Sequence, residues 1–346
     1  MNTKNQFKSN SLKVATLFIF TFILSASLTF AQGDKLLLQF KGENGAGQGK
    51  NVVLISGDDE YRSEEGLPML AKILSKHHGF NTTVLFAINP ENNQVVPNYK
   101  TNIPGMEHLE EADLVIILLR FRELPDEQMK YFDAYLKSGK PLIALRTSTH
   151  AFAYSKDNKS PYAKYHWQSK VPGWEKGFGK KILGETWVAH HGHHAVEGTR
   201  ALLDGIQVSA KNPLLNGVAD IWAASDVYTV TSLGEDAEVL IHGASTAGMN
   251  AEAPINWKKS LMPVVWTKSY QIEGGKKGKV FASTLGASID LLSEDLRRLI
   301  VNASYWGLGM EEKIPEKAEV TIVGNYAPTM FGFDNFRHGM KVTDFE

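Results

Sequence analysis

From residue 51 onward the apolar positions alternate between short continuous runs and helical spacings. Residues 51–56 are a short apolar run, residues 64–78 place Leu67, Leu70, Ile73 and Leu74 on one helical face, and residues 81–87 are again rich in β-formers. That is a β-α-β unit. The alternation continues through 113–119 (strand), 125–138 (helix, with Met129, Phe132 and Leu136 on one face) and 141–145 (strand). Strands that are apolar throughout and separated by helices must be covered on both faces, so the pattern predicts an α/β fold with a mainly parallel sheet.

The second half is richer in β-signals, with strands expected over 185–190, 222–231, 237–241, 264–270 and 280–285 and an exposed hairpin tip at 274–279. A last helix is expected over about 294–306. The tail from Pro315 is aromatic and Gly-rich and is expected to pack as an extended arm. These signals divide the chain into a flexible lead at 32–50, one domain at 51–310 and a C-terminal arm at 311–346. The lead carries the text G-A-G-Q-G-K, which lacks the spacing and the final Ser/Thr of a phosphate loop and precedes a strand instead of following one.

The first residues form a separate segment. Lys4, Lys8 and Lys13, with no acid among them, precede an apolar run at 14–24 and the small residues Ser25, Ala26 and Ser27. This is the layout of a cleavable secretory signal over 1–31, and it places the mature chain, from Gln32, in the periplasm or outside the cell. The alternative is an uncleaved anchor, which the serines and threonines of the run disfavour. No stable membrane insertion is expected after cleavage.

With 37 basic and 38 acidic residues the chain has no excess charge to attract nucleic acid. It has no cysteine, which excludes disulfides, zinc–thiolate sites and thiol nucleophiles.

In a parallel sheet the ligand crevice lies beyond the carboxyl ends of the strands. The text there is unusually polar: Asp58, Asp59, Glu60, Tyr61 and Arg62 after the first strand, Arg120, Arg122 and Glu123 after the third, Arg146 to His150 after the fourth, and Thr284 to Asp290 after the last. Six of the 11 histidines fall between His150 and His194, including the run His190-His191-Gly192-His193-His194. Such density suits proton transfer or a metal. If 185–191 is a strand, His190 and His191 face opposite ways, so an ion would take one or two of these imidazoles with His150 or a carboxylate such as Asp58 or Glu60. Tryptophans such as Trp167 and Trp187 suit a sugar ring or the core. Thr147, Ser148 and Thr149 sit where a strand turn could expose a nucleophile, but the G-x-S-x-G frame is missing.

These segments together resemble the trehalose-utilisation (ThuA-like) family, within the class I glutamine amidotransferase-like superfamily. The matching text is Gly57 to Glu65, Ala112 to Arg122, Leu145 to Phe152, His190-His191 with Glu197 to Arg200, and Val280 to Gly286 followed by Arg297-Arg298. The resemblance implies a flavodoxin-like three-layer sandwich, here with extra β-hairpin elements. Where amidotransferases carry their catalytic Cys, this chain has Arg146, so amidotransferase chemistry is not expected. His150 stands where several members carry an acid.

The function expected is that of an exported protein acting on a glycoside or keto-sugar in carbohydrate catabolism, as an isomerase, lyase or hydrolase. Its candidate catalytic residues are His150, His190, Asp58, Glu60 and Arg146. Tyr61, Arg62, Arg120, Arg122, Thr149 and Asp290 are the candidates for binding a small carbohydrate. A divalent metal such as zinc, on His150, His190 and His191, is left open as cofactor. The alternative is a non-catalytic carbohydrate-binding or sensing protein using the same crevice.

Overall fold

The computed structural model describes Met1 and residues 35–203 and 212–346; the export segment expected over 1–31 falls almost wholly outside them. In chain order the elements are β1 (Leu37–Phe40), β2 (Asn51–Gly57), α1 (Ser63–His78), β3 (Asn81–Leu85), a small pair β4 (Ile88–Asn89) and β5 (Gln94–Val95), β6 (Leu114–Leu119), α2 (Asp126–Lys137) and β7 (Leu142–Leu145). They continue with β8 (Thr199–Leu202), β9 (Trp222–Ala223), β10 (Glu238–Ser245), β11 (Met262–Tyr270), β12 (Gly278–Ser283) and α3 (Glu294–Gly307).

Among the described residues the strands other than β4 and β5 join in one mixed sheet of order β1-β3-β2-β6-β7-β12-β11-β10-β8-β9. From β3 to β12 neighbouring strands are parallel, and from β12 outward they are antiparallel. Alternate residues of each central strand feed two cores. Val52 and Leu54 of β2 belong to the core built with Leu67 and Leu70 of α1 and Leu299 and Ile300 of α3, while Val53 and Ile55 belong to the other, with Met129, Phe132 and Leu136 of α2. Burial on both faces is why these strands read as unbroken apolar runs. The carboxyl ends of β2, β6 and β7 then lie side by side.

Three expectations differ from the structure. Residues 37–40, counted in the flexible lead, add a strand antiparallel to β3 with Leu38 fully buried. The glycines that suggested flexibility instead allow close approach: Gly47 N–H donates to the His78 carbonyl at 2.8 Å, and a Cβ on Gly42 would lie 2.0 Å from the Gly79 oxygen. Residues 185–190 form no strand. At its start the Glu185 carboxylate accepts the backbone N–H of Thr231 and Ser232 and the Thr231 hydroxyl in place of a ladder, and backbone pairing is confined to a single antiparallel bridge between His190 and Tyr228. The expected strand over 222–231 is confined to Trp222–Ala223, because the Asp290 carboxylate takes the backbone N–H and hydroxyl of Ser225 and turns the chain out of the sheet.

After α3 the chain runs without long elements to a 3-10 turn at Val342–Phe345. It is fastened along its length. Arg298 Nε donates to the Ala318 carbonyl at 3.1 Å, Arg297 Nε to Val320 at 3.0 Å, and the Tyr326 hydroxyl to Ser288 at 2.7 Å. Among the described residues no helix is long and apolar enough to cross a membrane.

Candidate active site

The loops after three neighbouring parallel strands each contain a non-glycine residue with positive φ: Arg62 (58°), the N-cap of α1, after β2, Phe121 (51°) after β6 and Arg146 (42°) directly after β7. Such backbone is costly for a side-chain-bearing residue, and its clustering at one sheet edge marks loops held by more than local preference. The Asp58 carboxylate organises the first loop. One oxygen accepts the N–H groups of Glu60 and Tyr61, each at 2.7 Å, and the other accepts the Thr147 hydroxyl. Burial, aided by the neighbouring charge of Asp59, pushes this carboxyl up to about 6.

The centre of the site is Asp226. Its Oδ1 accepts Arg146 Nη2 at 2.8 Å and its Oδ2 faces His190 Nδ1 at 2.7 Å. Burial alone would raise this carboxyl, but Arg146 and the two histidines hold it far below the usual carboxylate range. An ionised Asp226 can only accept, so His190 carries its proton on Nδ1 and presents Nε2 with no partner among the described residues. The His190 side chain is 34% exposed.

His194 lies beside it, ring centres 4.6 Å apart. Its Nε2 is 3.0 Å from Glu60 Oε1 and its Nδ1 is 3.4 Å from Asp226 Oδ1. Hydrogen bonds to Asp226 and Glu60 outweigh burial and raise its pKa to about 9, so it is an imidazolium at neutral pH. His150 is the opposite case. It is buried, shares a hydrogen bond between Nδ1 and the Thr149 hydroxyl at 3.1 Å, and is kept neutral by burial and by the charge of Arg120.

Aromatic rings surround these groups. From His190 the ring contacts pass to Trp187 (5.6 Å), Trp167 (6.0 Å) and Phe121 (5.5 Å), and from His194 to Phe331 (5.6 Å). The Arg120 guanidinium lies between Phe121 at 4.5 Å and Phe333 at 4.8 Å, with Nη1 on Asp59 and Nε 3.6 Å from Glu60. An open groove continues along Trp167, Gln168, Thr186 and Trp187. The mouth is therefore apolar at its rim and charged at its floor, the composition of sites that take small polar ligands with apolar faces.

The sequence-level candidates separate into two groups. Arg120 and His190 reach the mouth, Glu60 and His150 lie buried just beneath it with Thr149 bonded to His150, and Tyr61 is fully buried with its hydroxyl on Arg146. Arg62, Arg122, Arg146 and Asp290 are buried and bonded to protein groups, although Arg62 Nε, Arg122 Nη2 and Arg146 Nε find no partner among the described residues. Arg62 donates to the Glu60 and Gly332 carbonyls, Arg122 to those of Arg120, Pro97 and Tyr99, and Arg146 to Thr284, Asp226 and the Tyr61 hydroxyl. Asp290 accepts from Ser225, Gly286 and Ala287. These four, with Asp58, shape the loops and do not line the crevice.

The histidine set expected for a metal is not the one that gathers. His191 turns away to the Ser260 carbonyl at 2.8 Å. The trio that offers ligand atoms within 4.8 Å of one another is His190, His194 and Asp226. His190 and Trp187 also share a face, which strict strand alternation forbade. Asp226, Tyr228, Phe331 and Phe333 went unnoticed because Asp226 and Tyr228 sit in a run that reads as a strand and the two phenylalanines in a tail that reads as packing. Two text signals could have found them: an acid inside an aromatic β-like run, and the repeat Phe-Gly-Phe.

The family described as ThuA, trehalose utilisation, matches residues 51–307. A solved ThuA-like protein from Parabacteroides merdae ATCC 43184 is 14% identical over 75% of this chain and 90% of its own, with a TM-score of 0.47. The exo-β-1,4-mannosidase Op5Man5 from Opitutaceae bacterium strain TAV5 is 12% identical over 76% of this chain and 35% of its own, with a TM-score of 0.33. The mmIFT52 N-terminal domain is 11% identical over 75% and 97%, with a TM-score of 0.36. No curated protein matches the chain.

Proposed function

The chain belongs to the ThuA (trehalose utilisation) family, and from that premise we propose that it is an exported carbohydrate-processing enzyme whose proton transfers run through the His190–Asp226 pair. The observation that carries the reading is the geometry of that pair: a buried, ionised Asp226 fixes His190 by Nδ1 and leaves Nε2 open inside an aromatic rim. The order β3-β2-β6-β7-β12 of the parallel strands supports a flavodoxin-like, amidotransferase-like sheet, whose ligand crevice lies at these strand ends. Without a cysteine the chain cannot run amidotransferase chemistry.

In this reading His190 Nε2 takes a proton from a sugar hydroxyl, or from the carbon beside a keto group, and Asp226 stabilises the imidazolium that forms. The free edge of Arg120 donates to the oxygen on which negative charge develops, as an enediolate or a departing alkoxide, and the His194 imidazolium, its two N–H groups held by Glu60 and Asp226, adds positive charge nearby. Neutral His150 and Trp187 bound the ring on the groove side. The substrate class is a glycoside or keto-glycoside.

The test is a panel of disaccharides and their keto derivatives, followed by proton NMR for wild type and His190→Ala. Wild type is expected to convert at least one, and the variant to lose about 100-fold or more. Binding without conversion by wild type would overturn the enzyme reading in favour of a binding protein.

A second reading rests on His190, His194 and Asp226 as a three-ligand set for a divalent ion such as zinc. A bound ion would displace a proton from His194 together with its bond to Asp226 or Glu60, and would supply Lewis-acid polarisation of a substrate oxygen in place of the imidazolium charge. Metal analysis of tag-free protein tests it: occupancy near zero, with no melting shift on adding zinc or manganese, overturns it.

A further inference from the structure

The family match stops at residue 307, yet two of the rings at the crevice mouth come from beyond it. The C-terminal arm is carried there by a chain of specific contacts. Thr329 donates its N–H and hydroxyl to Glu65 at 2.7 and 2.9 Å. Gly332 donates its N–H to the Glu60 carbonyl at 3.0 Å and accepts Arg62 Nη2 at 2.7 Å. Asp334 is held by Asn98. Both neighbours of Gly332 then project toward the site. Phe331 packs on Tyr61 at 5.0 Å and on His194 at 5.6 Å, and Phe333 covers one face of Arg120.

We propose that Phe333, held in place through its buried neighbour Phe331, forms the specificity wall of the crevice, a face on which one ring of a carbohydrate ligand stacks while the free edge of Arg120 donates to its oxygens. The inference rests on the carbohydrate reading above and adds to it the residues that select the ligand. Phe333 is 55% exposed. A lone exposed phenylalanine is ordinary on a protein surface. This one differs in having its inner face stacked on a guanidinium that is itself fixed by Asp59 and Phe121, so a rigid apolar plane and a directed donor stand side by side. Sugars offer that combination in reverse, with an apolar C–H face and a rim of hydroxyls. Glu60 sits at the junction, giving its carbonyl to the arm and its carboxylate to His194 and Arg120, so the wall is set at a fixed distance from the proton-transfer groups.

The experiment uses the full chain and follows tryptophan fluorescence from Trp187 and Trp167 during titration with trehalose, cellobiose and maltose and with their keto derivatives. The variants are Phe333→Ala, the double variant Phe331→Ala/Phe333→Ala, and Phe331→Tyr/Phe333→Tyr, which keeps both rings. Alanine at Phe333 is expected to weaken binding of the best sugar about tenfold, and the tyrosine pair to stay within about threefold. Phe333 is half in solvent, so its alanine variant keeps the fold even if the double variant does not. Sugar binding by wild type together with unchanged affinity in Phe333→Ala overturns the wall and leaves the carbohydrate reading standing. Failure of wild type to bind any of the three sugars or their keto derivatives overturns both.

Discussion

Arg146 and Asp226 form an ion pair in which neither side chain reaches solvent, with Nη2 and Oδ1 2.8 Å apart. The guanidinium also stacks 3.8 Å from the Tyr228 ring centre and donates to the Thr284 and Asp226 carbonyls. A buried pair contributes little over apolar residues of the same shape, but removing one partner leaves the other charge without compensation. Asp226→Ala is therefore expected to lose about 3 kcal/mol of stability, the low end for such a pair because Arg146 keeps its carbonyl acceptors. Urea denaturation checks it; a loss below about 1 kcal/mol would mean that the Arg146 charge finds other compensation.

That pair also shows what could be read in the text. The apolar runs around Val52–Ile55 and Leu114–Leu119 announced a parallel sheet because burial on both faces leaves no room for polar alternation. Polar residues at the strand ends then located the crevice. Which of them face it could not be read, since Arg62, Arg122 and Arg146 have the composition of ligand-binding residues but are buried and donate to groups on distant loops, among them the carbonyls of Gly332, Pro97 and Thr284. Asp226 escaped for a related reason. Its place depends on Asp290 holding Ser225, a contact across 65 residues that no periodicity records.

Glu64, in the first turn of α1, is fully buried, and both its carboxyl oxygens lack a hydrogen-bond partner among the described residues. Burial, and then the charge of Glu65, raise its pKa from 4.5 to about 8. Between those values the folded state binds a proton that the unfolded state has released. This contribution to stability is complete below pH 4.5 and is lost as pH rises through about 8. Glu64→Gln is expected to remove the dependence, raising stability at pH 9 by a few kcal/mol and changing little at pH 4 (rough values). Melting curves of both proteins across this range check it; parallel curves would show that the carboxyl is solvated.

Glu65 fastens the arm through Thr329 and through Arg337, whose Nε is 3.4 Å away. Losing two hydrogen bonds to a buried carboxylate is expected to cost about 2 kcal/mol in Glu65→Ala. The loss is local. Limited trypsin digestion is expected to cut after Arg337 and Lys341 faster in the variant, while cuts within the sheet keep their wild-type rate. Equal rates at Arg337 would show that the contacts at Arg297, Arg298 and Tyr326 hold the arm without Glu65.

Gly179 opens a single π turn, Gly179–Leu183, that runs under the loop bearing Thr149 and His150. A Cβ there would lie 2.0 Å from the Thr149 oxygen and 2.9 Å from both the Glu185 oxygen and the Thr186 Cα. All three are backbone atoms, which cannot swing aside as a flexible side chain can. In Gly179→Ala the turn or the His150 loop must move, at a cost of about 1–3 kcal/mol. Because Trp187 follows Thr186 directly, the shift reaches the groove wall as well as His150. Sugar binding should thus fall together with the melting temperature. Gly173→Ala is the control: φ is +77° and a Cβ meets nothing within 4 Å, so only backbone strain of about 1 kcal/mol is expected, with binding unchanged. Equal melting losses in the two variants, with binding kept in both, would remove the π turn from the support of His150.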